Sequence, residues 1–456
     1  MDKRDFVKKI LFLELCKRDF WTFCQYYDPV FFQQRLFLKV VADAFQKIEN
    51  GEIKSLSVSM PPRAGKSFIT SLFCAWTLGN HPTESVMRNT CTATLYKKFS
   101  YDVRDILRSE KFQYVFPNVR LSDDKSNLDG WNTNKSKQVG YFGAGVGGTI
   151  IGFGASKLAI TDDLYRSLED AINDNQNARI IQWKEGTHDS RFESGCSRID
   201  IGTRWTRDDL IGQNMDSGIY DESIMIKALN ENDESFCENV MTTAEYLDKR
   251  KKTSKHIWLA EYQQQPIDLT GRLFGSLQFV DPDEFELIMN RKNENNESIF
   301  DGFIAYLDVA DMGSDFTALA IAGIVGSEIF VCDYVFDRSN TDVTIPMVAS
   351  KLEKWGVKYC RVESNSMGAI YSRQLQKMTK CRIMPVPNTQ NKMTRIIMNS
   401  DFILNRMKFV KYDNPQSIQF IENVLSFSKE GKNKHDDAPD CLSGLSMFIQ
   451  SMFPKV

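Results

Sequence analysis

The sequence predicts an α/β protein of two domains, the first built on a doubly wound, mostly parallel sheet and the second on a smaller mixed sheet. Three observations predict it. A chain of 456 residues is too long for one ordinary core and long enough for two. Between residues 55 and 202 short apolar strands alternate with stretches of helical periodicity, the pattern of a parallel sheet with crossover helices. Between residues 303 and 335 three strands follow one another with short turns, the pattern of an antiparallel meander.

In the front half, SLSVS (55–59) is a β-prone run that feeds the loop PPRAGKS, and KSFITSLFCAWTL (66–78) has apolar residues at helical spacing. VMRNTCTAT reads as a strand, residues 96–112 as a helix, and KLAIT (157–161) and RIDIG (198–202) as buried strands. The glycine-rich stretch at 143–155 supplies tight turns near the expected site. The first twenty residues read as an amphipathic helix, because Glu14 interrupts the apolar run and no small-residue cleavage site follows.

The texture changes near residues 266–276, where Pro, Gly and Ser spacing marks a connection. This divides the chain into a first domain at 1–268, a linker and start of the second domain at 269–300, and a second domain at 301–456. After the strands FIAYLDV, TALAIAGIV and EIFVCDYV come a helix at 343–355, the strand KYCRVE, a helix at 368–378, the strand CRIMPV and a closing helix after Pro439. No internal repeat is visible.

Composition excludes several classes. No apolar run approaches the roughly 18 residues of a membrane span, so no membrane role is expected. The net charge of -3 excludes a surface basic all over, so any nucleic-acid contact must be local. The run KRKKTSK (249–255) is one place for it, although a basic run of this length is commonly a solvated loop. None of the ten cysteines has the CxxC spacing of a zinc or redox site, and free thiols are expected.

Gly65, Lys66 and Ser67 end a phosphate-binding loop whose backbone N–H groups cradle phosphate oxygens, whose lysine reaches the β and γ phosphates, and whose serine hydroxyl holds Mg²⁺. Met60 stands where the usual pattern has glycine, with Pro61 and Pro62 setting a different path. Pro62, Arg63 and Ala64 complete the loop, and Arg63 adds a second cation. About one hundred residues on, KLAIT ends in Asp162 and Asp163. An apolar strand ending in two carboxylates suits metal binding by the first and orientation and deprotonation of the attacking water by the second.

In the rear half, cleavage of a phosphodiester needs carboxylates that converge on two metal ions about 4 Å apart. Asp308 ends the first strand and Glu363 the fourth, while HDDAPD brings Asp436 and Asp437 to the start of the last helix, with Asp440 one turn on. Asp311 and Asp315 are nearby alternatives. His435 reads either as a group that tunes the site or as a surface hydrogen-bonding residue.

PPRAGKS, the 92–117 segment, the 147–165 segment, IGTRWTRDDLIG, WLAEYQQQPIDLTGRLF and the rear acids together resemble the large subunit of tailed-phage terminases, over nearly the whole chain. The resemblance implies a P-loop ATPase of the additional-strand (ASCE) type followed by a ribonuclease-H-like nuclease domain, whose β-β-β-α-β-α-β-α order the rear elements match. It implies ATP and Mg²⁺ at the front site and two Mg²⁺ or Mn²⁺ ions at the rear one. It places a coupling role on Thr203 and adenine contact on Gln34 or Gln33. Where relatives often carry an arginine, this chain has Phe153 between two glycines, so Arg166, Arg179, Arg191 and Arg204 are candidates to complete a neighbouring subunit's site. The implied partners are double-stranded DNA, a portal protein, a small terminase subunit and a pentameric ring of like subunits. The implied location is the host bacterial cytoplasm, transiently on the procapsid portal and outside the mature virion. The rival readings are a DNA helicase or repair ATPase fused to a nuclease, for which helicase motifs are missing, and an inactive structural relative, against which the intact Lys66, Asp162, Asp308 and Glu363 speak.

Overall fold

The computed structural model describes residues 3–150, 152–310, 315–364, 368–388, 390–430, 433 and 435–453. The chain divides into two compact units, Met1–Asp268 and Leu269–Val456.

The front unit is organised by an eight-stranded sheet. Its strands are β1 (Ser55–Ser59), β2 (Val86–Thr90), β3 (Leu121–Asn127), β4 (Gly130–Thr133), β5 (Tyr141–Phe142), β6 (Leu158–Asp162), β7 (Ser197–Ile201) and β8 (Glu222–Met225). Their order across the sheet is β3-β4-β5-β2-β6-β7-β1-β8, parallel from β5 to β8 and antiparallel only at the β3-β4-β5 edge. β7 stands between the strand that feeds the phosphate loop and the strand that ends in Asp162, the additional-strand arrangement. Strands covered on both faces bury nearly every residue, as β2 and β6 do throughout. The helix Lys66–Asn80 is buried from Ile69 to Gly79 and packs Phe73 and Trp76 against Phe20 and Phe45. The sequence reading joined residues 96–112 in one helix; the chain forms two, Ala93–Arg108 and Glu110–Val115, because the Ser109 hydroxyl accepts from Phe112 N and starts a new helix.

The rear unit is a seven-stranded mixed sheet. Its strands are β9 (Gln278–Val280), β10 (Gly302–Asp308), β11 (Thr317–Val325), β12 (Glu328–Asp337), β13 (Tyr359–Glu363), β14 (Arg382–Val386) and β15 (Met407–Val410), in the order β14-β13-β10-β11-β12-β15-β9. β10, β11 and β12 form the antiparallel meander, while β13 and β14 add in parallel on one side and β15 and β9 on the other. The expected element order is incomplete. A helix (Lys392–Arg406), β15 and a second helix (Pro415–Ser426) lie between β14 and the last helix, Asp437–Met452. That last helix is buried along most of its length, and Gly444 lets it lie on Tyr306 of β10: a Cβ there would come within 2.2 Å of the tyrosine ring. This close approach carries Asp437 and Asp440 to the end of β10. No helix among the described residues is long and apolar enough to cross a membrane.

Candidate active sites

The front site grows out of the end of β1. Met60 is fully buried in the core, so it contributes packing where the usual loop has glycine. The turn is made further on by Arg63 and Gly65, with φ of 62° and 104°. A Cβ at Gly65 would meet the ring of Phe31 at 2.8 Å, which fixes the loop against the segment 28–34. A cavity of about 490 Å³ opens over the loop, lined by Pro62, Arg63, Gly65, Lys66, Ser67, Asp163, Arg166, Thr203 and Glu261 among others. Ala64 is buried in the core, so only its backbone is placed to face a ligand. Gln34 is exposed and outside the cavity lining; its carbonyl accepts from Cys237 Sγ and Asn239 Nδ2. Its neighbour Phe31, packed on Phe68 at 4.9 Å, is what brings this segment to the loop.

The two carboxylates after β6 have different partners. Asp163 has a left-handed backbone, φ 52°, and its Oδ1 accepts from Lys66 Nζ at 2.8 Å. Asp162 is wholly buried and ion-paired to Arg88, whose guanidinium also donates to Ser71 Oγ at 2.8 Å and lies 3.9 Å from the Phe99 ring centre. Burial pushes the Asp162 carboxyl up, Arg88 opposes this, and Asp163 adds to it. Oδ2 takes the arginine, while Oδ1 is buried without a hydrogen-bond partner. A buried acceptor left over at the foot of a phosphate loop fits a hydrated divalent cation, with the Ser67 hydroxyl as the second protein ligand.

Thr203 lines the cavity just beyond β7. Asp209 shapes this strand end by accepting from Trp205 N at 2.8 Å and from Arg204 Nε at 3.1 Å. Arg204 is buried in that pair, whereas Arg166, clamped to Asp170, stands at the cavity wall. Arg191 is hydrogen-bonded to the neighbouring Ser190.

In the rear site, β10 and β13 are adjacent and parallel, with Leu307 opposite Val362, so Asp308 and Glu363 end neighbouring strands. Two cations that sequence reading missed organise the acids. Lys392 Nζ lies 2.7 Å from Asp436 Oδ1, 3.4 Å from Asp440 Oδ2 and 3.6 Å from Asp437 Oδ1. Arg395 binds Asp440 through Nε at 2.8 Å and reaches Glu363 at 3.3 Å, which also accepts from Tyr306 Oη at 3.3 Å. Asp437 Oδ2 accepts from Phe316 N at 3.2 Å. The Asp308 carboxyl is pushed well above the usual range by burial and by the charges of Asp440, Glu363 and Asp437, with Lys392 opposing. Among the described residues, no three acidic, histidine or cysteine side chains are drawn close enough together to hold an ion as they stand. The surplus of buried negative charge around Asp308 nevertheless fits divalent cations, which would relieve it, with Asp308, Glu363, Asp436 and Asp437 as the donor set. His435 Nε2 faces Arg338 Nη2 at 2.9 Å and its ring stands edge-on to Phe316. Asp311 lies outside the described residues.

The model of the bacteriophage T7 terminase ribonuclease-H-like domain matches residues 307–409, from Asp308's strand through Glu363, Lys392 and Arg395 to β15. Residues 307–409 of the rear unit are thus similar to a terminase ribonuclease-H-like domain. The terminase resemblance read from the sequence is thereby borne out in the part of the chain that holds Asp308 and Glu363. Among solved structures, the chain is similar to a large terminase from a thermophilic bacteriophage in complex with ATP-gamma-S, at 9% identity over 89% of this chain and 98% of that one, TM-score 0.42. It is similar to the HK97 bacteriophage large terminase at 12% identity over 88% and 92%, TM-score 0.37. The manganese-soaked human cytomegalovirus terminase nuclease domain matches at 12% identity over 39% of this chain and 90% of that one, TM-score 0.28. No curated protein matches the chain.

Lys392 and Arg395 left a weak signal in the sequence, as two cations one helical turn apart after a capping asparagine, Asn391. Arg88 left a clearer one, as a charge inside an otherwise buried strand. Glu261 left none that separates it from a surface acid.

Proposed function

We propose that the chain is a terminase large subunit, which hydrolyses ATP to move double-stranded viral DNA into a procapsid and cuts the DNA concatemer with its rear domain. The observation that carries this reading is the presence on one chain of the Lys66–Asp163 phosphate-loop site and a terminase ribonuclease-H-like domain with its buried acids. At the front site the loop N–H groups and the helix Lys66–Asn80 receive the phosphates, and Lys66 leaves Asp163 for the β and γ phosphate oxygens. Asp163, so released, orients the attacking water, and Thr203 at the end of β7 senses the change. Ser67 and Asp162 would hold Mg²⁺. At the rear site Asp308, Glu363, Asp436 and Asp437 would hold two Mg²⁺ or Mn²⁺ ions, which supply charge neutralisation on the attacking and leaving oxygens. Arg395 keeps Glu363 in place, and Lys392 gathers the helix acids. The net charge of -3 suits a motor that grips the DNA backbone locally and releases it each cycle. A portal protein, a small subunit and a ring of like subunits, in the bacterial cytoplasm, complete the proposal.

The test is ATP turnover with and without linear duplex DNA, beside nicking of supercoiled plasmid with and without Mg²⁺ or Mn²⁺. Duplex DNA should raise turnover several-fold, and nicking should need the metal. Turnover indifferent to duplex DNA, or nicking in EDTA, would contradict the reading.

A further inference from the structure

One wall of the front cavity is not accounted for by Lys66, Asp163 and Thr203. It comes from the single turn Trp258–Tyr262, from which Glu261 lines the same cavity of about 490 Å³ as the phosphate loop. The turn is π-helical, a geometry concentrated at functional sites. It is stiffened by Trp258 stacked on Tyr262 at 5.1 Å. Gln264 then ties the turn to the end of β7: its Nε2 donates to the Glu261 carbonyl at 2.8 Å, and its Oε1 accepts from the backbone N–H of Arg204, next to Thr203, at 3.4 Å.

Gln264 is 3% exposed and has φ 53°. Among the described residues five that are not glycine have positive φ, and three of them, Arg63, Asp163 and Gln264, belong to this cavity or its supporting wall. Such backbone costs of order 1 kcal/mol or more per residue, and its concentration at one place marks a constrained site.

The carboxylates of the front site also divide by partner. Asp162 is held by Arg88 and Asp163 by Lys66. Glu261 forms no ion pair among the described residues, although it lies in the field of Lys249, then of Lys66 and Asp163. Burial holds its carboxyl above the ordinary range, the direction that suits a proton acceptor at neutral pH. Its side chain is also one methylene longer than that of Asp163.

We propose that Glu261 is the catalytic carboxylate that accepts the proton of the attacking water, and that Gln264 is the positioning residue that fixes it relative to Thr203. The proposal rests on the ATPase reading above. In the step, the water oxygen forms a bond to the γ-phosphorus, and the bond from that phosphorus to the β,γ-bridging oxygen breaks. Its electron pair leaves with ADP, and the water proton passes to a Glu261 carboxylate oxygen.

The experiment compares Glu261→Gln, Gln264→Ala and Lys66→Ala in the full chain, measuring ATP turnover and the affinity for a fluorescent (mant) ATP analogue. Glu261→Gln should lower kcat about 100-fold or more with analogue affinity within threefold of wild type. Gln264→Ala should lower kcat about 10-fold, with KM little changed and partial rescue by Gln264→Asn. A Glu261→Gln protein that turns over within threefold of wild type overturns the proposal. So does one that has lost analogue binding, because Glu261 then builds the pocket and does not act in it. Full turnover in Lys66→Ala would instead sink the ATPase reading on which the proposal stands.

Discussion

Lys66 Nζ lies 2.8 Å from Asp163 Oδ1, so the cation assigned to the phosphates and the acid assigned to the water hold each other across the cavity. On the proposed mechanism nucleotide breaks this pair as it binds, which makes the pair a latch. Asp163→Asn, which removes the group that orients the water, should therefore lower kcat about 10-fold or more while leaving the fluorescent analogue bound as tightly as in wild type or more tightly. Stopped-flow binding and steady-state turnover check the two halves separately.

Arg88 and Asp162 form an ion pair with neither side chain exposed. Removing one partner leaves an unpaired buried charge, which costs about 3–5 kcal/mol. Arg88→Met should lower the stability of the front unit by that amount in urea titration, as well as disturb the strand end that carries Asp162.

Gly444 packs so near Tyr306 that a Cβ would have to displace the ring. Gly444→Ala should cost about 1–3 kcal/mol and, by shifting the helix that carries Asp437 and Asp440, reduce plasmid nicking more than tenfold. ATP turnover of the same protein should stay within twofold of wild type.

His188 is fully buried beside Asn89, and burial pushes its pKa down from 6.5 to about 3. A depressed folded pKa means that the unfolded state binds the proton first. Stability should thus be complete above about pH 6.5 and fall as pH drops toward 3, at up to about 1.4 kcal/mol per pH unit from this group. His188→Gln should flatten that slope relative to wild type in urea titrations between pH 6.5 and 4.5.

Much of the fold was legible because its strands are buried on both faces: KLAIT and TALAIAGIV admit few other readings. β9 and β15 escaped notice because three or four residues carry no usable periodicity; β15 owes its pairing to β12, and β9 owes its own to β15. The acids of the rear site were legible from their positions at strand and helix ends. Their counter-charges were not, because Lys392 and Arg395 sit on a helix that was itself overlooked. Met60 misled for a related reason: the motif reserves that position for a backbone need, but the fold fills it with core and lets Arg63 and Gly65 make the turn.

The central claim is that one chain holds two independent sites. Its most direct test is a crossed assay of Lys66→Ala and Asp308→Ala, each measured for DNA-stimulated ATP turnover and for metal-dependent nicking. The account predicts that Lys66→Ala loses turnover and keeps nicking, and that Asp308→Ala does the reverse. Both activities surviving in both proteins, or both vanishing together in correctly folded protein, would contradict it.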